Sequence, residues 1–141
     1  MKYFNVVIYL SIFLVMLPVS AGEQAFYSAL ENCKNYSSSG QTTADGMTVN
    51  FFTEISGWSE DKCIYKEKIS SPSFEACTTC RLSKNQINEL VNVMRAYTAL
   101  QKNSGRSFDS SIFKNVEGNP VINVWNKYLT DSSVCEIEFK E

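Results

Sequence analysis

The sequence predicts an α+β domain: an antiparallel sheet of about four strands, a three-stranded meander plus a C-terminal strand, packed against a long helix and stapled by disulfides. Three observations point there. Between Met47 and Leu82, three runs alternate apolar and polar residues with a period of two. From Ser83 onward, an apolar stripe repeats at helical spacing behind a capping box. All five cysteines lie beyond the first 21 residues.

Residues 1–21 read as a removable secretory leader and residues 22–141 as one domain. Lys2 supplies the positive start, the run from Val6 to Leu17 is apolar and uncharged, Pro18 breaks it, and Val19-Ser20-Ala21 sets small residues where a signal peptidase reads. The run falls short of the ~20 residues that a spanning helix needs, so cleavage after Ala21 is expected rather than anchoring. No later run is long enough to span a bilayer. The expected location is the periplasm or the extracellular space.

Lys2 is one of 13 basic residues, so the mature chain keeps 12 against 15 acidic ones, a net charge of −3. Its basic residues are scattered, which argues against a nucleic-acid partner, because backbone binding needs clustered positive charge.

The elements follow in order. Glu23 to Cys33 reads as a short helix with Phe26, Ala29, Leu30 and Cys33 on one side. Ser37-Ser38-Ser39-Gly40 reads as a polar loop, and Met47 to Ile55 as the first strand. Gly57 and Ser59 to Lys62 form the next turn, followed by strands Cys63–Ile69 and Phe74–Leu82 joined through Ser70-Ser71-Pro72-Ser73. Setting Ile69 opposite Phe74 sorts the hairpin: Ile69, Tyr65 and Cys63 share a face with Phe74, Ala76 and Cys80. Lys66, Lys68, Glu75, Arg81 and Cys77 take the other.

Ser83 and Gln86 then form the capping box of a helix carrying Ile87, Leu90, Val91, Met94 and Tyr97 on one stripe and ending near Lys102. Asn119-Pro120 opens a shorter helix with Val121, Val124, Trp125 and Tyr128 inward. Val134 to Phe139 alternates as the last strand.

Five cysteines allow 15 two-bridge schemes and leave one thiol over. The hairpin register sets Cys63 against Cys80, which leaves Cys33 to pair with Cys135 and Cys77 as the odd thiol. The alternative is a redox pair, Cys77 and Cys80, in Cys77-Thr78-Thr79-Cys80. Its alternating flanks favour a strand over the helix N-terminus on which such motifs rely. No metal site is expected, since the chain has no histidine and a single CxxC.

The lack of histidine also excludes Ser-His and Cys-His hydrolases, and no cofactor motif is present. Of the carboxylates Glu54, Glu60, Asp61, Glu67 and Glu75, most read as lying in turns or on the solvent faces of strands. Trp58 and Phe52 are the candidates for an exposed aromatic binding patch.

The runs Gly46-Met47-Thr48-Val49, Gly57-Trp58, Asp61 to Lys66, Asn88 to Tyr97, Asn119-Pro120-Val121 and Val124 to Leu129, continuing through Cys135, resemble small exported proteins encoded by gut-associated bacteria. The resemblance covers most of the mature chain and implies a bacterial periplasmic or secreted protein. It brings no activity and assigns no functional residue. The expectation is therefore a non-enzymatic exported binding or interaction module, stapled by disulfides, for a protein or small ligand. The alternatives are a thiol-disulfide oxidoreductase using Cys77 and Cys80, and an inhibitor of a hydrolase. For the inhibitor, Gln41 to Gly46 is similar in part to the cystatin loop but lacks its Val.

Overall fold

Strand structure runs further along the chain than alternation alone implies. The structure, a computed structural model, describes residues 21–44, 46–104 and 124–140. Within them β1 (Tyr36–Ala44), β2 (Met47–Ser59), β3 (Lys62–Ser71), β4 (Phe74–Leu82) and β5 (Cys135–Lys140) form one antiparallel sheet in chain order. The helices among the described residues are α1 (Ala21–Asn32), α2 (Lys84–Ser104) and α3 (Val124–Leu129). The expected leader as far as Ser20 and the expected Asn119-Pro120 cap with Val121 lie outside the described residues, as do the side chains of Met94, Tyr97 and Val124.

The sheet has five strands, not four, because the serine-rich segment read as a loop is β1. Ala44 faces Met47, so the chain reverses in two residues, and Gly46 takes the positive φ of 76° that such a hairpin requires. The β2–β3 hairpin is also longer than expected. Gly57, read as part of a turn, lies inside β2 at a register shift with a φ of 96°, so it accommodates a bulge instead of ending the strand.

A second correction concerns the β3–β4 register. Ser71 faces Phe74, Ile69 faces Ala76, Tyr65 faces Cys80 and Cys63 faces Leu82. The hairpin therefore closes through Pro72-Ser73, two residues tighter than expected. The face assignment survives, because a slip of two residues preserves the side on which each side chain stands. Cross-strand partners do not survive it, so Cys63 no longer opposes Cys80.

Alternation sorts the sheet into a covered and an open face. Ile55, Cys63, Tyr65, Cys80 and Leu82 are buried in one cluster with Leu30 of α1, Ile87, Leu90 and Val91 of α2, and Trp125 and Tyr128 of α3. Full burial of aliphatic side chains such as Ile55, Leu82 and Leu90 contributes about 1.5–3 kcal/mol each. Tyr65 is the hub, with Phe26 edge-on at 6.1 Å between ring centroids and Trp125 tilted against it at 5.2 Å.

The helices are tied by polar contacts as well. Ser83 and Gln86 cap α2 reciprocally: Gln86 N–H donates to Ser83 Oγ at 3.3 Å, and Ser83 N–H to Gln86 Oε1 at 2.8 Å. Arg95 of α2 holds Glu31 of α1 at 2.5 Å. Tyr128 of α3 donates to Glu89 of α2; burial and that carboxylate push the phenol up to about 12, and the same bond holds Glu89 below its usual range.

Candidate functional site

The cysteines decide the first question of chemistry. Cys33 is bonded to Cys63 and Cys80 to Cys135, so the expected partners, Cys33 with Cys135 and Cys63 with Cys80, are exchanged. The physical reasons are the register above and the end of α1. Cys33 sits at a left-handed cap with a φ of 47°, where Lys34 N–H reaches Ala29 O and Cys33 N–H reaches Leu30 O. That cap turns the chain onto the end of the sheet where Cys63 lies. Cys80 and Cys135 are direct partners across β4 and β5, with Cα atoms 4.1 Å apart.

Cys77 is the free cysteine, half-buried on the open face, where it faces Lys68 and Glu138. It stands on the opposite side of β4 from Cys80, and Cys80 is already bonded. The structure thus does not bring Cys77 and Cys80 together as a redox pair, because a CxxC in an extended strand points its two thiols to opposite faces.

The aromatic pair fares similarly. Phe52 is 39% and Trp58 45% exposed, yet Phe52 lies on the open face opposite Lys68, whereas Trp58, beyond the bulge, opposes Cys63 and follows the covered face. Six residues of strand, roughly 20 Å, also separate them. They form no common patch. Residues Gln41 to Ala44 of the cystatin-like segment lie in β1, paired with β2, and present no free loop.

Among the described residues two constellations remain. The first is buried. Thr53, Glu67 and Thr78 are cross-strand partners on the covered face, making a polar rung across an otherwise apolar layer. The Tyr65 hydroxyl donates to Glu67 Oε2 at 2.6 Å, and Thr53 hydrogen-bonds the same phenol. Glu67 Oε1 has no partner among the described residues. Burial raises the Glu67 carboxyl above its ordinary value, against the bond from Tyr65, while burial and the Glu67 charge raise the Tyr65 phenol. With Tyr65 only 5% and Glu67 8% exposed, these groups are sealed between the layers.

The second constellation is open. Ser39, Phe52 and Lys68 form one rung of the open face, which carries no helix among the described residues, and Gln41, Asn50 and Ser70 form the next. Short side chains beside the tall Phe52 and Lys68 leave a shallow depression of about 420 Å³ lined by these six together with Gly40 and Phe51. Lys68 Nζ is 2.7 Å from Glu75, and this bond raises the lysine and lowers the glutamate from their ordinary values, so both stay charged. Phe52 was legible from sequence. Ser39, Gln41 and Asn50 were not, although Asp45-Gly46 between runs of threonine and valine is the hairpin signal that would have found them.

Among the described residues no group of cysteines and carboxylates is arranged to hold a metal ion. Compared with family models, with curated proteins and with solved structures, the chain matches none.

Proposed function

We propose that this chain is an exported, disulfide-stapled binding module that holds an uncharged saccharide on the open face of its sheet. The carrying observation is the composition of the depression: aromatic residues (Phe52, with Phe51 beneath it beside Gly40), two amides that both donate and accept (Gln41, Asn50) and two hydroxyls (Ser39, Ser70), beside a lysine already neutralised by Glu75. A sugar ring offers the matching surface, an apolar C–H face edged with hydroxyls. Lys68 is the one ionisable side chain lining the depression among the described residues, and its bond to Glu75 favours its charged form, which favours binding over general-base chemistry there. Two disulfides favour an oxidising compartment, and no helix among the described residues is long and apolar enough to cross a membrane. The resemblance to exported bacterial proteins favours the periplasm or the medium.

The test is a titration of 15N-labelled protein with neutral oligosaccharides of glucose, mannose and N-acetylglucosamine. Shifts confined to residues 39–41, 50–52 and 68–70, abolished by Phe52→Ala and retained in Trp58→Ala, support the reading. Absence of shifts at about 10 mM of every sugar, well beyond millimolar affinity, overturns it.

A further inference from the structure

The two edges of the sheet are not alike. β5 carries Glu136, Glu138 and Lys140, all exposed, the charged guard that discourages another strand from docking. β1 carries none. Its nine residues contain no charge and no proline, and its pairing with β2 runs from Tyr36↔Ile55 to Ala44↔Met47 without a register shift. Ser37, Ser38, Ser39, Gln41 and Thr43 are exposed, so side chains on both faces of the strand meet solvent. An edge this long, regular and unguarded is a template for one more strand.

We infer that the strand it accepts is β1 of a second copy, paired antiparallel about Gly40, which joins two five-stranded sheets into one of ten. Three features single out self-pairing. First, the register centred on Gly40 overlaps all nine residues. It sets Ser39 against the partner's Gln41, Ser38 against the partner's Thr42, and Ser37 against the partner's Thr43, small polar pairs with no like charges opposed. Second, this pairing is its own two-fold, as an isologous dimer requires. Third, Gly40 is covered by a neighbour's ring: a Cβ there would lie 2.3 Å from Phe51 Cζ. Phe51 thus leans over the edge strand while remaining half-buried. With two Gly40 residues at the axis, the two Phe51 rings approach within aromatic contact, roughly 5–7 Å between centroids, over a gap that any larger residue would fill. The inference is independent of saccharide binding, although it would set the two depressions side by side on one face.

A single pair of strands makes a small interface, so the dimer forms in the range of tens to hundreds of micromolar, as an order of magnitude. Sedimentation equilibrium of the oxidised protein, from about 1 μM to about 1 mM, reads this directly. Cys77→Ser in every sample removes thiol-linked dimers. The double variant Ser39→Lys, Gln41→Lys opposes like charges twice across the axis and is expected to weaken the dimer by about tenfold or more. Mixing it with Ser39→Glu, Gln41→Glu restores a heterodimer. The pair Glu136→Lys, Glu138→Lys on the opposite edge leaves the dimer as it was. A monomer across the whole range, a dimer indifferent to the β1 lysines, or a mixture no tighter than its parts each overturns the inference, and circular dichroism of each variant separates loss of pairing from loss of fold.

Discussion

Glu67 makes folding depend on pH in a direction opposite to that of a surface carboxylate. Its Oε2 accepts one bond from Tyr65 and its Oε1 none among the described residues. Burial therefore raises the folded-state pKa above the ordinary 4.5. A carboxyl raised on folding binds its proton more tightly in the native state. Its favourable contribution is complete below the unfolded pKa and is lost as pH rises through the folded one. At neutral pH the charged form is thus a burden on the fold. Glu67→Gln removes the charge while keeping the shape and an acceptor for Tyr65. A buried polar atom without a partner costs about 1–3 kcal/mol, and the amide leaves an NH₂ group in the same position, so the net gain is about 1 kcal/mol at pH 7. In a domain of this size that is a rise in Tm of roughly 4 °C. Glu75, Glu89 and Asp131 are shifted down and give the opposite trend as pH falls. The quantity to follow is therefore the difference in Tm between variant and parent at each pH, measured by calorimetry from pH 4 to pH 8. The difference opens as pH climbs above the ordinary glutamate range and closes at the acid end. A variant that is less stable than the parent at pH 7, or one whose difference does not vary with pH, would refute this account of the rung.

Two further predictions concern the staples and the bulge. A non-reducing peptide map after alkylation in denaturant should join Cys33 to Cys63 and Cys80 to Cys135 and label Cys77 alone. By chain entropy, deleting the first bridge, which spans 30 residues, or the second, which spans 55, should cost about 3.5 and about 4 kcal/mol respectively in urea denaturation. Gly57→Ala should cost about 1–3 kcal/mol by the same assay. It forces an L-residue to a φ of 96° and sets a methyl 3.0 Å from Asn35 Oδ1.

The residues that were legible in sequence share one physical property: their signal is local. The reciprocal cap of Ser83 and Gln86 spans four residues, and the alternation from Phe74 to Leu82 fixes that strand to the residue. The stripe Ile87, Leu90 and Val91 faces the core as its spacing requires. What failed was pairing between elements. Sorting apolar from charged side chains excludes a slip of one residue between β3 and β4 but is blind to a slip of two, since the side-chain period is two. Two residues were enough to move Cys63 from opposite Cys80 to opposite Leu82 and so to exchange the partners of all four bonded cysteines. The turn held the missing information: Ser71 and Phe74 flank Pro72-Ser73 as a two-residue loop, among the commonest lengths for a hairpin.

The candidate site was hidden for a related reason. A strand announces itself through its buried face, and β1 has little of one: Tyr36 and Thr42 are half-buried, and at Gly40 the interior is filled by Phe51 reaching across from β2. A strand whose core contact is supplied by its neighbour's ring has no need of apolar residues of its own, so its composition is free to be polar on both sides. That freedom is what gives the open face its amides and hydroxyls and leaves β1 without a charged guard of its own. The same substitution of Phe51 for a β1 side chain thus accounts for the missed strand, the chemistry of the depression and the open edge.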